Sequence, residues 1–152
     1  MKQGIYEIEE FKQKWDFDGP DSKQTRAGYI NRVFLSKQKH GFTLNACCGT
    51  DRTGDVLVDI TSRVKPHVVA DIHALPFRPS TFDTVICDPP FSYFNRFKWI
   101  LDMKDLAKKR FIISTPYTLL TFGKTWRRKV WFTDNGGHMM RIWQVFTRDI
   151  LQ

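Results

Sequence analysis

Between Phe42 and Cys87 the chain holds four short apolar runs, Phe42–Cys47, Val56–Ile60, His67–Ala70 and Phe82–Cys87, each followed by a Gly, Asp or Pro turn. Short runs of this kind without clear alternation mark strands buried on both faces, the usual state of a parallel sheet. Parallel neighbours normally need a crossover of about a dozen residues or more. Here Gly49 and Asp59 are ten positions apart, and six residues separate Ile60 from His67. Helices do not fit in those gaps. The first two crossovers are therefore expected to be turns. Either the strand topology has changed, or one sheet face lacks its usual cover and is closed by a helix at 22–39 or by another chain. The second alternative is preferred, because uncovered parallel strands expose an apolar patch. It predicts a homodimer or a partner subunit.

The rest of the chain reads as α/β. Residues 22–39 place Ala27, Ile30, Val33 and Phe34 at helical spacing among bases, and Gly41 would end that helix. Residues 96–109 read as a helix and Arg110–Ser114 as a fifth strand, with a short helix after Pro116. The tail has the two-residue period of a hairpin, Lys129–Thr133 with Met139–Thr147, around Asp134-Asn135-Gly136-Gly137. The order predicts a mainly parallel sheet closed by an antiparallel hairpin.

At 152 residues the chain suits one domain. No apolar run reaches the roughly 18 residues of a membrane span, and the first residues lack a signal peptide's apolar stretch, so a soluble, cytoplasmic protein is expected. Cys47, Cys48 and Cys87 form neither a disulfide framework nor paired zinc-ligand spacing, and His40, His67, His73 and His138 are scattered, so no metal site is expected. The net charge of +8 is uneven: residues 46–95 carry four bases and six acids, residues 96–152 twelve bases and four acids. Basic flanks around an acidic centre suit a polyanion-binding protein with a small-molecule site in the middle.

Three acids, Asp59, Asp71 and Asp88, end three of the predicted strands, where open α/β sheets bind ligands. Ahead of them Asn45-Ala46-Cys47-Cys48-Gly49-Thr50 runs from a strand into a glycine turn that lets a ligand approach the backbone. Asp71 precedes Leu75-Pro76-Phe77, and Asp88 opens Asp88-Pro89-Pro90-Phe91. With these residues the chain resembles the class I S-adenosylmethionine-dependent methyltransferases, in the amino-methyltransferase branch with an (Asp/Asn)-Pro-Pro-aromatic signature. The resemblance is good over about 42–95 and loose elsewhere. It implies a Rossmann-like, mainly parallel seven-stranded sheet with a C-terminal antiparallel hairpin, its crossover helices between the first three strands shortened or absent. It also implies one minimal domain over 1–152, with an N-terminal extension (1–40) carrying the basic helix, a catalytic sheet (41–152) and no separate target-recognition domain. S-adenosylmethionine would be held by Asn45, Ala46, Cys47, Gly49, Asp59, Ile60, Asp71 and Ile72, with Asp59 taking the ribose hydroxyls and Asp71 the adenine amino group. Asp88, Pro89, Pro90 and Phe91 would be catalytic. Departures from the pattern are Cys47 and Asp51 at positions usually small, and Asn45 where an acid is common.

The chemistry suits those residue types. An exocyclic amine is a poor nucleophile because its lone pair is delocalised into the base. If Asp88 and the Pro89 carbonyl each accept an N–H, the nitrogen is drawn toward tetrahedral geometry, and Phe91 can stack on the base. The resemblance puts adenine N6 in DNA first, with guanine N2 or adenine N6 in RNA next; a catalytically idle nucleic-acid-binding subunit is a third reading. Nucleic acid would be gripped by Lys23, Arg26, Arg32, Lys37 and Lys39, by Lys124, Arg127, Arg128 and Lys129, and by Trp126, Trp131 and Trp143, at least half of these tryptophans being expected to pack the hairpin instead. Tyr117 and His138 are further pocket candidates.

Overall fold

The computed structural model describes residues 26–95, 97–116, 119–134 and 140–149. The elements in order are helix α1 (Arg26–Gln38), strands β1 (Thr43–Ala46), β2 (Val56–Asp59), β3 (Val68–Val69) and β4 (Phe82–Cys87), helix α2 (Lys98–Asp105), and strands β5 (Ala107–Thr115), β6 (Trp126–Asp134) and β7 (Met140–Arg148). They form one seven-stranded sheet in the order β3-β2-β1-β4-β5-β7-β6. The first five strands are parallel; β7 enters antiparallel between β5 and β6. This is a Rossmann-like, mainly parallel sheet with a C-terminal antiparallel hairpin.

Alternation along the strands divides the core in two. On one face Leu44, Ala46, Val85, Cys87, Phe111 and Ile113 meet Trp99, Ile100 and Met103 of α2. On the other, Ile86, Ile112, Trp131, Trp143 and Val145 meet Phe34 and Leu35 of α1. The helix from the N-terminal segment thus covers that face over the β4-to-β6 half. Its buried stripe is Asn31, Phe34 and Leu35, and Asn31 Oδ1 accepts from the indole N–H of Trp143. Its C-terminus is capped by Arg110, whose guanidinium donates to the Gln38 carbonyl (2.7 Å), a favourable end for a cation. Gly41 then turns the chain at φ +63°. A Cβ there would lie 2.5 Å from Asp83 Oδ2, so glycine is required.

No helix joins β1 to β2 or β2 to β3; the second link contains only a single 3₁₀ turn, Ser62–Val64. The β1–β2 loop instead lies back on the sheet. Buried Asn45 donates from Nδ2 to the Thr53 carbonyl (2.9 Å), Asp55 Oδ2 accepts from Thr43 N–H (2.8 Å), and a Cβ on Gly54, at φ +126°, would lie only 3.3 Å from Asn45 Cβ. Arg52 then ties the two short loops together, donating to the carbonyls of Gly49, Val64 and Lys65. Polar staples do here what a packed helix does in a longer unit.

Several boundaries differ from the sequence reading. The helix expected over 96–109 stops at Asp105, and Ala107–Lys109 belong to β5, because Phe82 opens the β4–β5 ladder opposite Ala107. β6 starts three residues before the expected Lys129, since Trp126–Arg128 pair with Phe146–Arg148. The helix expected after Pro116 is absent from the described residues there; the segment is anchored by buried Gln144, which accepts from Leu120 N–H and donates to Thr115 Oγ1. No helix among the described residues is long and apolar enough to cross a membrane.

Candidate active site at the carboxyl ends of the strands

Strand order reverses between β1 and β4, and in open α/β sheets that switch point opens a crevice beyond the carboxyl ends. The loop after β1 forms one wall. Cys47 leaves the strand at φ +56°, a conformation in which most side chains are strained, and Gly49 follows at φ +51°. A Cβ on Gly49 would meet nothing within 4 Å, so the backbone there faces open space. Asp59, ending β2, braces this turn: its Oδ2 accepts from Gly49 N–H (2.9 Å) and its Oδ1 from Thr61 N–H (3.1 Å). Each oxygen retains further acceptor capacity. Ile60 beside it is 59% exposed, an aliphatic side chain left at the crevice.

Asp71 is exposed and is held by His73, whose backbone N–H and ring Nδ1 both lie within hydrogen-bond distance of Oδ1. Those bonds keep its carboxyl below the ordinary value of 3.8. Ile72 is buried behind it, and the His73 ring packs against Tyr93 and Trp99. A cavity of about 240 Å³ lies between this segment and α2, lined in part by Ile72, Leu75, Phe77, Met103 and Leu106.

Asp88-Pro89-Pro90-Phe91 follows β4 directly. Pro89 is buried and Pro90 exposed; Phe91 begins a 3₁₀ turn, Phe91–Asn95, stabilised by Tyr93 N–H to the Pro90 carbonyl and by the Trp99 indole donating to the Tyr93 carbonyl. The Asp88 side chain is 28% exposed yet ringed by protein, and burial raises its carboxyl above the ordinary range. The Arg141 guanidinium opposes that rise through an ion pair with Oδ1. The buried Ser114 hydroxyl opposes it too, through a contact short of a well-formed hydrogen bond, while the charge of Asp51 adds to the rise. Below Asp88, burial and the neighbouring Cys47 thiol push the Cys87 thiol up; burial does the same to Cys48.

The crevice thus gathers Cys47, Gly49, Asp59, Ile60, Asp71, Ile72, Asp88 and Phe91 around one end of the sheet. Asn45 and Ala46 lie buried beneath it, the former with its amide nitrogen bound to Thr53. Of the basic residues named from sequence, Lys124, Arg127 and Arg128 are not brought there. Arg127 and Arg128 pair through β7 with the level of Arg110 and Phe111, about 10 Å along β5 from Ser114. Arg127 forms an ion pair with Asp149, Arg128 donates to the Leu120 carbonyl, and Lys124 is exposed just before β6. On α1, Arg32 is half-buried and Lys37 exposed. Arg26 is the first residue of α1. Trp126, Trp131 and Trp143 are all buried in the core. Lys23, Tyr117 and His138 lie outside the described residues. Sequence reasoning missed Arg141; the available signal was its place two residues before buried Trp143, which puts it on the same sheet face as Asp88 and Ser114.

No family model matches the chain, and no curated protein matches it by sequence. Solved structures do share its fold. The PH0226 protein from Pyrococcus horikoshii OT3 aligns over 85% of this chain and 93% of its own, at 16% identity and a TM-score of 0.55. A SAM-dependent methyltransferase from Aquifex aeolicus aligns over 86% of this chain and 93% of its own, at 14% identity and a TM-score of 0.52. At such identities the likeness is one of fold: the chain is built on the same architecture as these proteins.

Proposed function

We propose that the protein transfers the methyl group of S-adenosylmethionine to an exocyclic amine of a nucleobase, with adenine N6 in DNA as the leading acceptor. The observation that carries this reading is the meeting of Asp88-Pro89-Pro90-Phe91 with the open Gly49 turn at the β1/β4 switch point. The fold shared with a SAM-dependent methyltransferase supports the cofactor. So does the fit of the residues present: unobstructed backbone at Gly49, an ionised Asp71 with exposed acceptor oxygens, and the aliphatic pair Ile60 and Ile72 for a flat purine. Asp59 would take ribose hydroxyls with the lone pairs that Gly49 and Thr61 leave.

When bound, the cofactor supplies an electrophilic methyl group on a sulfonium. The protein's part is positioning. Asp88 accepts one N–H of the acceptor amine and the Pro89 carbonyl the other, which frees the nitrogen lone pair. The two prolines fix φ and stiffen the loop that aims these acceptors. Phe91 stacks on the base, a contact worth about 1–3 kcal/mol. Asp88 does not need to be a strong base, because methylation itself makes the amine acidic and the proton then leaves to water.

The test is transfer of labelled methyl groups to DNA and RNA pools, followed by nucleoside digestion. Label in N6-methyladenine of DNA supports the leading reading. Label in N2-methylguanine or N6-methyladenine of RNA moves the substrate to RNA. Nucleic-acid binding without transfer would identify an idle subunit and overturn the proposal.

A further inference from the structure

One side chain touches both ends of the Asp88-to-Phe91 motif. Arg141, second residue of β7, donates from Nη1 to Asp88 Oδ1, and its guanidinium carbon lies 5.7 Å from the Phe91 ring centre. Its Nε is buried without a hydrogen-bond partner among the described residues. Its backbone lies opposite Thr133 in the β6–β7 ladder, and the next residue, Ile142, pairs with both Thr115 of β5 and Phe132 of β6. A strand therefore sets the position of this guanidinium. The group it meets is on a loop.

We infer that Arg141 is the positioning residue of this site: it fixes Asp88 through Oδ1, leaves Oδ2 to face the acceptor amine, and ties the carboxylate to the Phe91 platform. The inference rests on the methyl-transfer reading above. A carboxylate has two oxygens and about four acceptor sites, so one pair to arginine leaves room for an incoming N–H. The guanidinium is planar and permanently charged, so a single group can hold a carboxylate and lie on an aromatic ring. Arginine is suited to both contacts at once.

Charge gives Arg141 a second task. The groups facing Asp88 are Arg141 from β7, the Ser114 hydroxyl from β5 and Asp51 from the loop after β1, while the adjacent Cys87 thiol lies in the core on the other sheet face. Burial and Asp51 favour the protonated acid; Arg141 and, more weakly, Ser114 favour the carboxylate. Without the guanidinium, Asp88 ionises at higher pH. The amine acceptor is then lost in the range where the wild-type site still has it.

The experiment compares wild type, R141Q and R141K by two measurements. The first follows the Asp88 carboxyl by NMR across pH, with the resonance assigned by D88N. The second measures labelled-methyl transfer across pH. In R141Q the Asp88 midpoint should move up, kcat at neutral pH fall by about tenfold or more, and the acid limb of kcat follow the midpoint. KM for nucleic acid should stay within about twofold, because uniform binding is untouched. R141K keeps the charge and loses the planar fork, so it should restore the midpoint but only part of kcat; it also serves if R141Q does not fold. An unmoved midpoint with unchanged kcat overturns the inference. So does a faster R141Q, which would make the guanidinium an obstacle to the acceptor. If the wild type transfers no methyl group, the functional reading fails, while the NMR titration still decides whether Arg141 governs Asp88.

Discussion

The two halves of the sheet are held by different forces. From β4 to β6 the strands are six to nine residues long and sandwiched between α1 and α2, with Phe34, Phe111, Trp143 and Phe146 fully buried. From β1 to β3 they are two to four residues long, and the loops are fastened by side-chain hydrogen bonds from Asn45, Asp55, Asp59 and Arg52. Burial is non-directional and tolerant, whereas a polar staple depends on one geometry. The aromatic half gives the molecule its stability. The stapled half gives it a crevice wall of exposed backbone in a short stretch of chain. The crevice opens at the seam, where a rigid carboxylate loop on β4 faces the stapled turn.

That contrast predicts a ranked set of effects. Phe34→Ala removes a fully buried ring from the α1 face and should cost about 3–5 kcal/mol, read by urea denaturation. A loss below about 1 kcal/mol would show that α1 does not cover the sheet as described. Asp88→Ala should lower methyl transfer by at least about 100-fold, as when a positioned electrostatic group is deleted, without a comparable fall in cofactor affinity. Asn45→Ala leaves the Thr53 carbonyl without its buried donor and should cost about 1–3 kcal/mol. Hydrogen exchange should then accelerate over 47–55 and stay slow in β5 and β7. Arg52→Met lies on the exposed side of the same loops, so global stability should change by less than about 1 kcal/mol. Exchange at 49–52 and 62–65 should still rise.

The two halves also titrate oppositely. Asp71, bonded to His73, sits below the ordinary value of 3.8 and Asp88, buried, above it. The Asp71 contribution to stability is therefore present above the unfolded pKa and lost as pH falls through the folded one. The Asp88 contribution has the opposite sign: it is full below the unfolded pKa and declines as pH rises through the raised folded value. Carboxyl-resolved NMR should find Asp71 ionising first on the way up from acid. The reverse order would remove the electrostatic distinction between the two crevice walls.

Much of this was legible in residue spacing. Ten positions from Gly49 to Asp59 left no room for a helix, and none forms. The acids after β2, β3 and β4 all reach the same end of the sheet because parallel strands share a direction. What spacing could not supply was pairing between distant segments. β7 enters between β5 and β6, which carries Arg141 to Asp88 and leaves Arg127 and Arg128 at the level of Arg110, away from the crevice. Asn45, expected at the cofactor from its place before the glycine turn, also donates from its side chain to the Thr53 carbonyl of the returning loop, a partner that spacing does not show. A motif reports local chemistry; the register decides which neighbours join it.

The most direct test of the two-walled crevice is calorimetric titration of S-adenosylmethionine into wild type, Asp71→Ala and Asp88→Ala, with methyl transfer measured on the same samples. The account predicts that Asp71→Ala weakens cofactor binding, and that Asp88→Ala binds the cofactor as wild type does but transfers methyl groups at least about 100-fold more slowly. Loss of cofactor binding in Asp88→Ala, or transfer persisting at the wild-type rate, would contradict it.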